Sequence, residues 1–211
     1  MKIIQQRAVR LPILLAMTVG CFLIPACQSE DARITARNAL ETELAERQDR
    51  QVQSLSFYHQ AVSAYDKNDL GTARACVQDA IATYDRNAQA WMLMGLIDYK
   101  DGKIYEAASS FNRASLLMPD RYEPLYNIGI LLESFGRYKQ AIESYQAALK
   151  LSPSQLEVME NLARCYIRMG TNLDEAKNLI DQALLTEQRS QWRQWLAEQS
   201  HQLSMRKGIN P

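Results

Sequence analysis

The sequence predicts an all-α fold: a solenoid of four helix-turn-helix units, preceded by an N-terminal helix and closed by a C-terminal capping helix. Three observations carry this. Eight glycines and six prolines are spread over 211 residues, with neither between Pro25 and Gly71 and no β-branched run, a composition that favours helix. Small residues recur at Ala61, Gly95, Gly129 and Ala163, always 34 residues apart. A second series follows in step, Ala73, Ala107, Ala141 and Ala176, then Ala80, Ala114, Ala148 and Ala183, with Val77, Phe111, Tyr145 and Ile180 between. A unit of this kind cannot bury its apolar face alone, so neighbours stack and share a continuous core. An apolar content of 47% is enough to build that core.

Residues 1–26 stand apart. Lys2, Arg7 and Arg10 precede an uncharged apolar run from Leu11 to Ala26, and Cys27 follows. This is the layout of an export signal and not of a folded element. The run is short for a bilayer span of ~20 residues. The ending Leu23-Ile24-Pro25-Ala26-Cys27 resembles a bacterial lipoprotein signal, which implies a lipidated Cys27 at a new N-terminus. Pro25 departs from that pattern, and Cys21 is a weaker second candidate. Ordinary cleavage and an uncleaved anchor are the alternatives. In such lipoproteins an Asp after the cysteine commonly signals inner-membrane retention, so Gln28 favours the outer membrane.

Residues 27–53 form the lipidated N-terminus and a helical spacer. Ile34, Leu40 and Leu44 make a thin apolar stripe, and Glu43–Arg47 and Glu46–Arg50 are i,i+4 pairs. The stripe is too short for a sustained coiled coil.

The repeats occupy 54–188, as units 54–87, 88–121, 122–155 and 156–188. The second shows the pattern best. Trp91, Met94 and Gly95 space out its first helix, Asp101-Gly102 makes the turn, Ala107, Phe111 and Ala114 line one face of its second helix, and Pro119 ends it. Asn68, Gly102, Gly136 and Gly170 take the inner turns, where left-handed backbone is tolerated. The fourth turn carries one extra residue. Asp120-x-x-Glu123, Ser154-x-x-Glu157 and Asn172-x-x-Glu175 read as capping boxes. The order of large, small and turn residues resembles tetratricopeptide repeats (TPRs), which implies a right-handed superhelix. Asp98 departs from the family pattern, which usually has Tyr there; either it is partnered, by Arg113 or a tyrosine hydroxyl, or the helix turns it toward the groove. After Gln188, residues 189–203 with Trp192, Trp195, Leu196 and Leu203 form the capping helix, both tryptophans as core, and 204–211 form a flexible tail.

The catalytic inventory points away from an enzyme. The two histidines, His59 and His201, lie at opposite ends of the domain. No HExxH, Cys-x-x-Cys, GxSxG or phosphate loop occurs, so no metal or cofactor is expected. With Lys2, Arg7 and Arg10 set aside, acidic groups outnumber basic ones, which gives no footprint for nucleic acid. Cys76 and Cys165 fall three repeats apart and read as small buried thiols.

What remains is a surface. The TPR resemblance implies a concave groove lined by the first helix of each repeat. Its positions here are Tyr58, Val62 and Tyr65, then Met92, Leu96, Tyr99 and Lys100, then Tyr126, Asn127 and Ile130, then Asn161, Arg164 and Arg168. Glu133 and Ser134 share those columns. Tyr58 and Val62 stand where chaperone-binding members carry a basic clamp, so that activity is not implied. An aromatic, Met-containing groove suits a peptide or an amphipathic helix. The expectation is a non-enzymatic, lipid-anchored adaptor facing the periplasm of a bacterial envelope. A pilotin-like assembly factor for a type IV pilus or secretion secretin, a scaffold for peptidoglycan enzymes, and a self-associating structural protein are the alternatives.

Overall fold

The computed structural model describes residues 30–188 and 190–207. The signal segment, Cys27 and residues 208–211 lie outside them. Among the described residues there are nine α-helices and no strand: α1 (Glu30–Asp66), α2 (Leu70–Thr83), α3 (Ala88–Lys100), α4 (Ile104–Leu117), α5 (Glu123–Ser134), α6 (Tyr138–Leu151), α7 (Leu156–Met169), α8 (Leu173–Thr186) and α9 (Ser190–Lys207). None is long and apolar enough to cross a membrane.

The chain divides into residues 1–44 and 45–211. The described part of the first unit is helical and exposed, Ile34, Leu40 and Leu44 included, with an Arg37–Glu41 ion pair at 2.8 Å. No helix break falls at 53–54: the residues expected as spacer and the first repeat's leading helix belong to α1 alike. At the other end α9 reaches Lys207, past the expected boundary at 203.

In residues 45–211 the repeat columns become packing. Gly95 lies under Phe111, and a methyl group at that glycine would sit 2.5 Å from the ring. Gly129 lies under Tyr145, where a methyl would come within 2.3 Å. In the outer repeats Ala61 with Val77, and Ala163 with Ile180, are fully buried. Small residues thus admit one large side chain from the paired helix, the interlock that close-packed interiors require.

The core runs in three clusters. One joins α1, α2 and α3 around Ala61, Val77 and Ile97. A small one holds Ala107, Phe111 and Leu131. The largest runs from Ala141 through Tyr145, Leu162 and Ile180 to Leu196 and Leu203, so α9 closes the array on α8. Arg193 donates to the carbonyls of Leu184 and Glu187 at 3.0 and 2.8 Å, satisfying the end of α8 with a cation. Trp195 packs on that cluster, but Trp192 is 36% exposed, edge-on to Trp195 at 5.8 Å. It is therefore not core, because its position on α9 turns it to the rim.

The four inner turns take left-handed backbone where expected, at Asn68, Gly102, Gly136 and Gly170. The extra residue of the fourth turn is absorbed by a second left-handed residue, Asn172, with φ 48°. That conformation corrects one expected capping box: Asn172 is the N-cap of α8 but its side chain bonds no helix N–H. The other two fail for local reasons. Asp120 lies two residues ahead of the observed cap Tyr122, Pro124 has no N–H to offer, and Glu123 is drawn to Arg121. Gln155, not Ser154, is the N-cap of α7. Side-chain caps do form at Asp69, accepting from Thr72 N at 3.0 Å, and at Asn87, accepting from Ala90 N at 3.0 Å.

Asn87 has a second job. Its amide donates to Ser54 Oγ at 2.9 Å, and Ser54 donates to the Ala80 carbonyl at 2.7 Å. This fully satisfied buried chain ties the leading helix of repeat one to the start of repeat two. Asp98 is also explained. It is buried and takes Arg74 Nη1 at 2.7 Å, while Arg74 Nη2 reaches Asp101 at 2.8 Å. Arg113, the expected partner, pairs with Asp85 instead, at 3.2 Å. The arginine that meets Asp98 stands on the second helix of the preceding repeat, which packs directly on α3. Burial opposes the charge on Arg74, but the two carboxylates outweigh it and raise its pKa.

Candidate interaction groove

The leading helices α1, α3, α5 and α7 carry the predicted groove positions. Tyr58, Val62 and Tyr65 are half-buried against the first core cluster. Met92, Leu96 and Tyr99 are half-buried against the second. Tyr126 and Ile130 pack on the third. Much of the apolar stripe therefore serves packing between repeats and offers only its outer edge. Desolvation raises the pKa of Tyr58 and of Tyr126. Lys100 extends over the ring of Tyr65 at 4.0 Å, a cation–π contact linking repeats one and two.

One cleft of about 450 Å³ opens on this surface. Of the predicted residues it gathers Tyr99, Ile130, Asn161, Arg164 and Arg168 and adds Glu133, Ser134 and Tyr138. Tyr58, Val62, Tyr65, Met92, Leu96, Lys100, Tyr126 and Asn127 are not part of it. Its floor is a charge-assisted network. Arg164 Nε and Nη2 donate to the two oxygens of Glu133 at 2.7 and 2.9 Å, a bidentate pair from α7 to α5. Tyr145, fully buried on α6, donates its hydroxyl to Glu133 Oε2 at 2.9 Å. Three helices are thus pinned at one carboxylate.

The electrostatics follow from that geometry. Burial pushes the Glu133 carboxyl upward, but the hydrogen bonds and charge of Arg164, with the Tyr145 hydroxyl, outweigh it and hold the group below the usual glutamate range. The Tyr145 phenol is pushed far up by burial and by the neighbouring carboxylate. Behind the network, burial raises the Cys165 thiol to about 12. Arg164 is neutralised within the fold and is not an open cation. Arg168 is exposed, with its guanidinium 5.8 Å from the ring of Tyr138. Asn161 donates to the Tyr126 hydroxyl at 3.2 Å, so that hydrogen-bonding group is partly engaged. Asn127 is half-buried and makes no side-chain hydrogen bond among the described residues. Cys76 and Cys165 are both free, the first half-buried and the second buried. The described residues hold no cluster of His, Cys, Asp and Glu able to bind a metal.

Tyr138 escaped the sequence reading because it opens a second helix, not a first. The Glu133–Arg164 pair had a signal: opposite charges stand in inward columns of consecutive repeats. A search for such cross-repeat pairs would have found it.

Family comparison agrees with the geometry. Two models described as tetratricopeptide repeat match residues 58–120 and 132–198, together more than half of the chain. The chain belongs to the tetratricopeptide-repeat family. Among curated proteins it is 26% identical over 143 residues to Superkiller protein 3 of Schizosaccharomyces pombe, covering 67% of this chain and 10% of that protein. It is 30% identical over 115 residues to the Photosystem I assembly protein Ycf3 of Prochlorococcus marinus, covering 53% of this chain and 62% of that one. It therefore spans about a tenth of the first relative's length and less than two thirds of the second's. Among solved structures it resembles MamA with TM-score 0.58 and 15% identity, over 75% of this chain and 94% of that one. It resembles the Arabidopsis OM64 TPR domain with TM-score 0.54 and 19% identity, over 56% and 98%. These structural likenesses speak to the superhelical fold.

Proposed function

We propose that this TPR protein is a non-enzymatic adaptor that holds a peptide or amphipathic helix of a partner protein in the cleft lined by α3, α5, α7 and the start of α6. The observation that carries the reading is the cleft itself. Tyr99, Tyr138 and Ile130 line its walls, Arg168 is its one open cation among the described residues, and its floor is locked by Glu133, Arg164 and Tyr145. A preorganised floor lowers the ordering cost of binding, and an aromatic wall beside a single cation suits an apolar segment carrying a carboxylate. The name of one relative agrees in kind, since it describes an assembly protein.

The adaptor is anchored through a lipid on Cys27 and faces the periplasm of a bacterial envelope, with the outer membrane favoured by Gln28. The support is the order of basic segment, apolar run and Ala26-Cys27. A lipid chain contributes about 0.8 kcal/mol per buried CH2, so a multiply acylated cysteine gives stable attachment.

Envelope crosslinking with Tyr99→Ala and Arg168→Ala tests the cleft. Recovery of the same partners at parental yield from both variants removes the groove reading. Labelling with a palmitate analogue tests the anchor: incorporation that persists in Cys27→Ala shows that the site is wrong.

A further inference from the structure

An apolar pocket lies outside the groove, on the edge formed by the inner turns. The 34-residue register supplies the argument. Arg74, Ala108 and Ile142 occupy one column, on the second helices of repeats one to three. Asp98, Leu132 and Tyr166 face them from the first helices of repeats two to four. At the first junction the space is filled by Arg74 reaching Asp98 and Asp101. At the third, Ile142 packs against the core cluster that contains the buried Tyr166, whose hydroxyl accepts from Gln146 at 2.7 Å. At the middle junction the column holds only alanine. An apolar pocket of about 160 Å³ stands there, floored by Ala108, Leu131 and Leu132 and walled by Ile104 and Phe135.

Its rim has a definite chemistry. Tyr105 and Phe135 are 83% and 52% exposed, large apolar groups left at a turn edge. Arg137 also lines the pocket, and its guanidinium has no ion pair or side-chain hydrogen bond among the described residues. The first junction shows how such a space is closed in this fold: a long side chain enters it and its charge finds an opposite charge on the turn. At the middle junction those charges are absent: Ala108, Leu132 and Phe135 stand in the columns of Arg74, Asp98 and Asp101, which leaves an apolar hole, and Arg137, in the column of Lys103, is the cation at its lip.

We infer that the Ala108 pocket receives one large apolar side chain of an acidic peptide segment, with a neighbouring carboxylate of that segment on Arg137. A bilayer is a poorer match, because the apolar surface that needs covering is concave and of single-side-chain size. A guanidinium fork beside such a hole is suited to bidentate capture of a carboxylate. This site is separate from the cleft of the proposed function and shares no lining residue with it.

The test is selection of a random peptide library displayed on phage against the full chain in detergent, followed by anisotropy measurements on the selected peptides. Enrichment of Phe, Leu or Met next to Asp or Glu is expected. Ala108→Ile, which copies the third junction, should weaken those peptides about tenfold or more while leaving the thermal midpoint at or above the parent's. Arg137→Gln, an exposed change, should remove the preference for acid. Tyr99→Ala and Arg168→Ala should leave this binding unchanged even if they abolish the groove's partner. The inference is overturned if no such motif is enriched, or if the peptides bind Ala108→Ile as well as the parent. It is also overturned if the pocket variants change only self-association or attachment to anionic vesicles.

Discussion

Gly129→Ala pits two effects of opposite sign against each other. Gly129 sits inside α5, where alanine is favoured over glycine by about 1 kcal/mol on helix propensity alone. The added methyl, however, would lie 2.3, 2.5 and 2.9 Å from carbons of the Tyr145 ring. Ordinary carbon contacts are about 3.5–4.0 Å, so the ring must retreat by about 1 Å. Tyr145 is fully buried, and its hydroxyl is held by Glu133 at 2.9 Å. Retreat therefore overpacks the core, at about 1–3 kcal/mol, and stretches a hydrogen bond to a charged group worth about 1.5–3 kcal/mol. With propensity subtracted and that hydrogen bond lost, the net destabilisation is about 1.5–5 kcal/mol. Urea denaturation followed by circular dichroism reads it out. Tyr145→Leu in the Gly129→Ala background should recover part of the loss, because a smaller side chain frees the space. A neutral or stabilised Gly129→Ala would refute the interlock and leave propensity as the deciding effect.

Other expected outcomes concern the polar groups. Asp98→Ala removes the buried partner of Arg74 and should cost about 1–3 kcal/mol in the same denaturation assay, whereas Arg113→Ala should cost almost nothing. Glu133 has a depressed folded-state pKa, so its contribution is present above the unfolded value of 4.5 and is lost as pH falls through the folded value. The urea midpoint of the parent should accordingly drop below that pH, and Glu133→Gln should be less stable near neutrality with a flatter acid limb. Cys165, buried and raised to about 12, should resist iodoacetamide in the native chain and react once urea unfolds it, with Cys76 labelled earlier. Mass spectrometry of the alkylated peptides distinguishes the two thiols.

The repeat architecture was legible because its columns are enforced by sterics. Gly95 and Gly129 must be small for Phe111 and Tyr145 to enter, and the turn residues must accept positive φ. Those demands leave residue types at fixed intervals. Helix starts were less legible. A capping box is a local pattern, and at Asp120 the competing claims of Pro124 and Arg121 decided the outcome. The groove was half legible. Its columns follow from the register, but exposure along a column depends on which side chains of the neighbouring helices pack over it. Tyr58 and Met92 sink against their neighbours, while Tyr99 keeps an edge in the cleft. Two ion pairs draw their partners from adjacent repeats, so Arg74–Asp98 and Glu133–Arg164 are invisible to any reading confined to one helix.

The uneven division of the core bears on how the array comes apart. The cluster around Phe111 is the smallest of the three, and it lies between a first block ending near Ile97 and a last block beginning at Ala141. In a quasi-one-dimensional array, stability is a sum over units and their junctions, so a thin middle lets the two ends open semi-independently. Amide hydrogens of α4 should then exchange faster than those of α7, which buries more of its side chains. A partner that bridges the middle would couple the two blocks and turn a stepwise melt into a cooperative one.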